Sequence, residues 1–243
     1  MAPPQPYRSA VLSVAELDEA TVAAMEALYL RHYDGSSSGL FRHDLTEKRD
    51  AVLLYHGADL VGFTLLMVME TLWRGVPVRA VYSGDTIVGV QHWGQQQLNF
   101  TCIARIGQIK REQPSLPLYW FLLVKGHRTF KYLPVFVKSF FPHWQEARPD
   151  LQELAQQLAQ ARFGDYFDAS KGIVHFPDSR GHLKAWIAEA NERERARAST
   201  QFFLQKNPGY RQGDELVCLC ELEPANLKPL TARLFAATRK IAA

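Results

Sequence analysis

The run from Val76 to Phe100 constrains the fold more than any other part of the chain. Its first half, Val-Pro-Val-Arg-Ala-Val-Tyr-Ser-Gly-Asp-Thr-Ile-Val, is rich in β-branched residues and reads as a strand. Its second half, Gly-Val-Gln-His-Trp-Gly-Gln-Gln-Gln-Leu-Asn-Phe, is polar with apolar residues returning at helical spacing, and Gly89 sits at the joint. A strand that feeds a helix through a glycine loop leaves the first helical N–H groups without intrahelical acceptors, at the positive end of the helix dipole. Such a junction holds an anion such as phosphate without any charged side chain.

The flanking segments give this junction a setting. Ser9–Val14 reads as a first strand, and Ser13 followed by Glu16 reads as a capping box opening a helix through about Arg31, with Val14, Leu17, Val22, Met25, Leu28 and Tyr29 as its apolar face. Tyr33–Gly39 is a loop by composition, and Phe41–Arg49 offers a short helix capped by Asp44; a segment of this kind often borders a binding site. Ala51–Tyr55 and Leu60–Leu72 are strands joined by a hairpin-length turn, and with the Val76 strand they predict an antiparallel meander. Gly84 inside the third strand marks a bulge or a close approach of the backbone to a ligand.

Beyond the loop, Gly94–Lys110 reads as a helix and Leu116–Val124, the most apolar run in the chain, as a buried central strand. Strand, crossover helix and strand make a βαβ unit, so this run is expected to lie parallel to the Val76 strand. Thr129–Phe141 has a helical pattern with Pro134 near its start or at a kink. From Pro149 the pattern changes. Leu151–Phe163 is an amphipathic helix, Gly172–Phe176 a short strand, Leu183–Arg197 a charged helix with a solvated face, Glu215–Leu222 a strand, and Pro224–Arg239 a final helix.

Composition narrows the function classes. A net charge of +3 on 243 residues, with scattered basic residues, gives no footprint for nucleic acid. Three cysteines, Cys102, Cys218 and Cys220, fit a reduced compartment, and the last two are expected on opposite faces of their strand. Met1–Pro6 lacks the apolar core of a signal peptide and no run of about 18 apolar residues occurs, so a cytoplasmic protein without a membrane span is expected. His32, His43, His56, His143, His175 and His182 show no ligand spacing, which argues against a metal site. Gly-x-Ser-x-Gly and Walker motifs are missing from the sequence.

The order Gln91-His92-Trp93-Gly94-Gln95-Gln96 resembles the pyrophosphate loop of the GCN5-related N-acetyltransferases, whose pattern is Gln or Arg, two residues, Gly, one residue, then Gly or Ala. Gln91 and Gly94 match; Gln96 stands where the family has a small residue. The element order over roughly residues 9–142 is also that of the family core. The resemblance implies an α/β (α+β) fold with a mixed central sheet, an antiparallel meander plus a parallel βαβ unit whose two strands splay, flanked by helices. It implies an acyl-donor-binding core over residues 1–145 and an extension over 146–243 that completes the sheet with inserted helices. Coenzyme A, or the phosphopantetheine of an acyl carrier protein, would be held by the amides of Gln91, His92, Trp93, Gly94, Gln95 and Gln96, with its acyl end along Thr86, Ile87 and Val88.

By the same resemblance Asp85 would be the base that takes a proton from a primary amine and Tyr132 the acid that protonates the leaving thiolate. The residues alone leave alternatives: Asp85 could serve the bulge or pair with Arg79, and Tyr132 could be core beside Phe130 and Leu133. His127 and Arg128 could reach cofactor phosphates or an acidic carrier protein, and His92 projects from the loop. Leu65–Leu72 with Trp73 and Trp120 could shape a tunnel for a long acyl chain or be plain core. The implied function is N-acyl transfer to a small-molecule amine or amino acid; the competing reading is a non-catalytic ligand-sensing or partner-binding protein on the same fold.

Overall fold

Residues 6–237 are described by the computed structural model. In chain order the elements are β1 (Tyr7–Ser13), α1 (Glu19–His32), β2 (Tyr33–Asp34), α2 (Ser38–Thr46), β3 (Asp50–His56), β4 (Asp59–Trp73), β5 (Val76–Val88), α3 (Gln97–Glu112) and β6 (Leu118–Val124). They continue with α4 (His127–Phe130), α5 (Tyr132–Phe136), α6 (Pro149–Phe163), β7 (Phe167–Asp168), β8 (Ile173–Val174), β9 (His182–Leu183), α7 (Ala185–Ala188), α8 (Glu192–Arg195), α9 (Ala198–Lys206), β10 (Glu215–Glu221) and α10 (Pro229–Ala236).

One sheet runs in the order β1-β3-β4-β5-β6-β10-β8-β7. The meander from β3 to β5 is antiparallel, as its tight turns require, and β5 pairs with β6 in parallel across the α3 crossover. β10 lies antiparallel to both β6 and β8, so residues after 146 extend the same sheet. Apolar residues on one face of the sheet pack against α3 and α10; on the other face α1 and α2 cover the β3–β5 side and α6 covers the β5–β10 side. β6 is buried on both faces, Trp120 and Leu122 toward α3, Tyr119 and Phe121 toward α6, at about 1.5–3 kcal/mol for each large apolar side chain removed from water.

Several sequence expectations are corrected. The Ser13–Glu16 capping box forms, but it closes a single 3-10 turn. Leu17 then returns to extended backbone, and Asp18, accepting from the Thr21 amide at 2.8 Å, opens α1. Ser37, not Asp44, caps α2, because its hydroxyl reaches the Leu40 amide; Asp44 sits inside the helix with its carboxylate 2.5 Å from Lys48 Nζ one turn on. The helix expected over Thr129–Phe141 is two short pieces, since Pro134 offers no N–H to the carbonyl of Phe130 and Val137 is extended. The charged helix expected over Leu183–Arg197 breaks at Glu189, which is extended, and restarts at Asn191 with its own capping box to Glu194. Its environment is not simply solvent, for Ile187, Ala188 and Ala190 are buried.

Cys218 and Cys220 lie in the same core cluster, on one face, because residues two apart in a strand share a face. The last helix begins at Pro229 rather than Pro224; Asn226 holds a turn there by donating to the carbonyls of Ser139 and Glu221. Met1–Gln5 of the proline-rich start and residues 238–239 of the expected last helix lie outside the described residues.

α10 approaches α3 closely at Gly107, where an added Cβ would stand 1.9 Å from the carbonyl oxygen of Phe235. Gly107→Ala is therefore expected to force the two backbones apart and to cost about 1–3 kcal/mol, as overpacked core substitutions do. The midpoint of urea unfolding is the measurement; an unchanged midpoint would contradict this close approach.

Candidate active site

Parallel pairing between β5 and β6 runs from Arg79 opposite Leu118 to Ser83 opposite Leu122 and stops there, while β5 continues to Val88. The cause is local. Between the β4 partners Phe63 and Leu65 the register shifts, so that Asp85 and Thr86 together oppose Thr64, and Asp85 takes the left-handed backbone conformation with φ of 48°. The extra residue turns the two side chains apart. Thr86 bonds Thr64 Oγ1 at 2.7 Å beside the α3 layer, while Asp85 meets Asp44 from α2.

The opening between β5 and β6 leads into a cavity of about 830 Å³. On the α3 side it is bounded by Gln95, Gln96, Asn99, Tyr132 and Phe136, and on the α2 and α6 side by Asp44, Tyr82, Phe163, Tyr166 and Phe176. A cavity of this size can enclose a drug-sized ligand.

The loop residues fall into two groups. Trp93, Gly94, Gln95 and Gln96 line the cavity, whereas Gln91 and His92 do not. His92 turns to the opposite side, where its Nδ1 is 2.8 Å from the hydroxyl of Tyr7. The Trp93 and Gln95 amides are spent on the carbonyls of Val90 and His92. Among the described residues the amides of Gly94 and Gln96 have no acceptor; the first turn of α3 adds more free donors, and the Gln96 side chain makes no cap bond. Gly94, at φ of 97°, has open space around it. Lys131 and Arg197 also line the cavity and have no ion-pair partner among the described residues, so amide donors and free cations open onto the same cavity. Thr86, Ile87 and Val88 are at its edge, where the Val88 carbonyl already accepts from Trp93 Nε1 at 2.9 Å and lies 3.2 Å from His32 Nε2.

Asp85 and Tyr132 both face the cavity, from opposite sides of the sheet. Burial, and then the charge of Asp44, push the Asp85 carboxyl up to about 7; Lys48 and Lys125 act in the opposite sense. Arg79 is not its partner, being held by Glu112 and the carbonyl of Ile109. Burial pushes the Tyr132 phenol up to about 12, opposed by a hydrogen bond with Asn99 at the start of α3.

Arg128 is committed to the fold. It donates to Glu194 and to the carbonyls of Ile187 and Glu189, and its guanidinium lies 4.8 Å from the Trp93 ring centroid. It thereby clasps the 182–206 segment, which walls the cavity through Leu183, Ile187 and Thr200. His127 is 3% exposed, its Nε2 3.5 Å from a Glu194 carboxylate oxygen and its Nδ1 without a partner; burial, then Arg128, hold its pKa below the ordinary value, with Glu194 acting in the opposite sense. Leu65–Trp73 line none of the large cavity: Leu65 and Leu66 are core and Trp73 packs near Tyr119. Trp120 is buried, donating to Ser83 Oγ at 2.8 Å. Sequence reasoning missed Asp44 as a cavity residue, although Asp44 and Lys48 have the i, i+4 spacing of a helical ion pair. Lys125 and Glu215, 3.5 Å apart in the cavity wall, carry no local sequence signal.

Among the described residues no group of His, Cys, Asp and Glu is placed to hold a metal ion, and no helix is long and apolar enough to cross a membrane.

The sheet order with its splayed parallel pair is the arrangement implied by the loop resemblance. No protein-family model matches the sequence, and no curated protein matches it. Solved structures similar to this chain include a conserved protein of unknown function from Enterococcus faecalis V583 named as a probable N-acyltransferase, at 10% identity and a TM-score of 0.43 over 56% of this chain and 33% of that one. Others are a GCN5-related N-acetyltransferase from Kribbella flavida, at 11% identity and a TM-score of 0.40 over 53% and 32%, and an acyl-CoA N-acyltransferase from Pseudomonas aeruginosa, at 15% identity and 0.41 over 58% and 94%. The chain thus spans about a third of the length of the first two.

The carboxyl of Asp85 binds its proton more tightly in the folded chain than in the unfolded one, so its contribution lowers stability as pH rises from about 4 to 7. Carbon-13 NMR of the carboxyls is expected to find one Asp titrating near 7. Asp44→Asn, which removes the neighbouring negative charge, is expected to move that midpoint down. A midpoint that stays put, or moves up, would rule out the Asp44 contact.

Proposed function

We propose that this chain is a divergent member of the GCN5-related N-acetyltransferase superfamily and moves an acyl group from coenzyme A to a primary amine. The observation that carries the reading is the opening of β5 from β6 into one cavity with donor amides on one side of the sheet and Asp85 on the other.

In this reading the Gly94 and Gln96 amides, the first turn of α3, Lys131 and Arg197 receive the phosphates. The chain's residues fit that role because the amides lack acceptors and the cations lack carboxylates among the described residues. The pantetheine arm follows the β5–β6 gap past Thr86, Ile87 and Val88, with the thioester at the bulge. An acyl carrier protein would present the same arm without the nucleotide.

The reaction joins amine nitrogen to thioester carbon and breaks the carbon–sulfur bond. A carboxyl near pH 7 is matched to accepting the amine's proton, since a base works best with its pKa near the working pH. In this reading the oxyanion that develops on the carbonyl is received at the β5 edge beyond Ser83, where pairing to β6 has ended. Tyr132 keeps its proton across the working range and donates it toward the departing sulfur. The products are an amide and free thiol; Asp85 gives up the proton it gained and Tyr132 takes one back from solvent, so no net proton is released and both groups are restored.

Thermal-shift measurements with acetyl-, octanoyl- and palmitoyl-coenzyme A, and with an acyl carrier protein, test the donor site. Stabilisation by at least one is expected, by RT ln(1 + [L]/Kd), and stabilisation by none would refute it. With a turned-over amine, Asp85→Asn and Tyr132→Phe are each expected to lower kcat, on the order of 10²-fold for the base, with little change in the KM for the donor. Wild-type turnover in both would remove their assigned roles and leave the fold untouched.

A further inference from the structure

On the α2 and α6 side of the cavity, almost every charged group has a partner of opposite sign. Asp44 holds Lys48, Glu215 faces Lys125, and Glu47 binds Arg162. Two groups remain. Asp85 has no cation within ion-pair distance among the described residues, and its hydrogen-bond partner is another carboxyl, Asp44. Arg180 has no carboxylate among the described residues; its guanidinium lies over the rings of Phe176, at 4.3 Å, and Tyr166, at 5.8 Å, on the cavity wall. Lys125 connects the two places, since it donates to the carbonyl of Gly181, next to Arg180, and acts on the charge of Asp85.

The cavity therefore presents one carboxyl without a cation and one guanidinium without an anion. Tyr82, Phe163, Tyr166 and Phe176 line the same cavity. A simple amine would satisfy only the first charge and leave the guanidinium unmatched. A polyamine would add positive charge beside Arg180 and be disfavoured there. A ligand that carries both an ammonium and a carboxylate satisfies both, and the rings supply apolar contact for its body.

We propose that this side of the cavity binds an amino acid with an apolar body, its ammonium at Asp85, its carboxylate on the fork of Arg180, and its body against Tyr82, Phe163 and Phe176. The proposal deepens the acyl-transfer reading by naming the acceptor class, and depends on that reading only for what happens to the amine after binding. Arg180 is the specificity-determining residue in it, because a guanidinium receives a carboxylate through two parallel hydrogen bonds.

The test is calorimetric titration of the full chain with no acyl donor present. L-phenylalanine and 6-aminohexanoate, which differ in the spacing between amine and carboxylate, are compared with phenethylamine and hexylamine, which lack the carboxylate. At least one of the first two is expected to bind on the order of tenfold tighter than its carboxylate-free counterpart. Arg180→Ala, a change at an exposed side chain, is expected to abolish that preference while the affinity for phenethylamine and hexylamine stays the same. Absence of binding by both carboxylate-bearing ligands, equal affinity within each pair, or a preference that survives Arg180→Ala would each overturn the proposal. Titration with acetyl-coenzyme A is the separate arm: its failure would count against the transferase reading and leave the amino-acid result standing.

Discussion

Hydrogen bonding between two parallel strands that ends five residues before one of them does is the constraint on which the site depends. β5 remains tied to β4 as far as Val88, so its free edge beyond Ser83 is held in place rather than frayed. The bulge at Asp85 and Thr86 gives that edge its geometry, reversing which residues face which layer. A regular strand would have directed Asp85 toward the α3 layer with Arg79, Val81 and Ser83. One extra residue places it instead among Asp44, Lys48 and the tyrosines of the opposite layer.

That placement has an electrostatic consequence. In a polar cavity where most carboxylates are neutralised, a half-buried carboxyl without a counterion holds its proton more tightly than a free one, and Asp44 beside it strengthens the effect. Tyr132 is displaced in the same direction by burial, across the sheet. A proton acceptor near neutrality and a proton donor far above it, facing one space, make the kind of separated pair that acid–base chemistry uses. Structural ion-pair networks also perturb such groups, but here both titrating side chains line the same opening.

Much of the sheet could be read from residues alone, because alternation and short turns fix a meander locally. The Leu116–Val124 run announced its burial by apolar content, and the crossover rule supplied its direction. What was not legible depends on contacts between distant residues. Asp44 looks like a helix cap until Ser37 takes that position, and Glu215 looks like an ordinary strand start until Lys125 is placed opposite it. The Leu183–Arg197 segment misled for a related reason. Its alternating Glu and Arg suggest a solvated helix, yet Glu194 is the acceptor for Arg128, 66 residues earlier. Within the loop, spacing identified the stretch but not which amides stay free, since that depends on how the 3-10 turn before Trp93 closes.

The burial of all three cysteines has a practical corollary. Cys102, Cys218 and Cys220 are sealed in the interior, and burial lifts each thiol far above the range where the reactive thiolate forms. A disulfide dye added to the native chain should therefore colour only with thiol generated from a donor, with no background from the polypeptide. The same silence makes these sulfurs a built-in gauge of opening, because any slow colour that develops without substrate must come from molecules that have transiently let the reagent in.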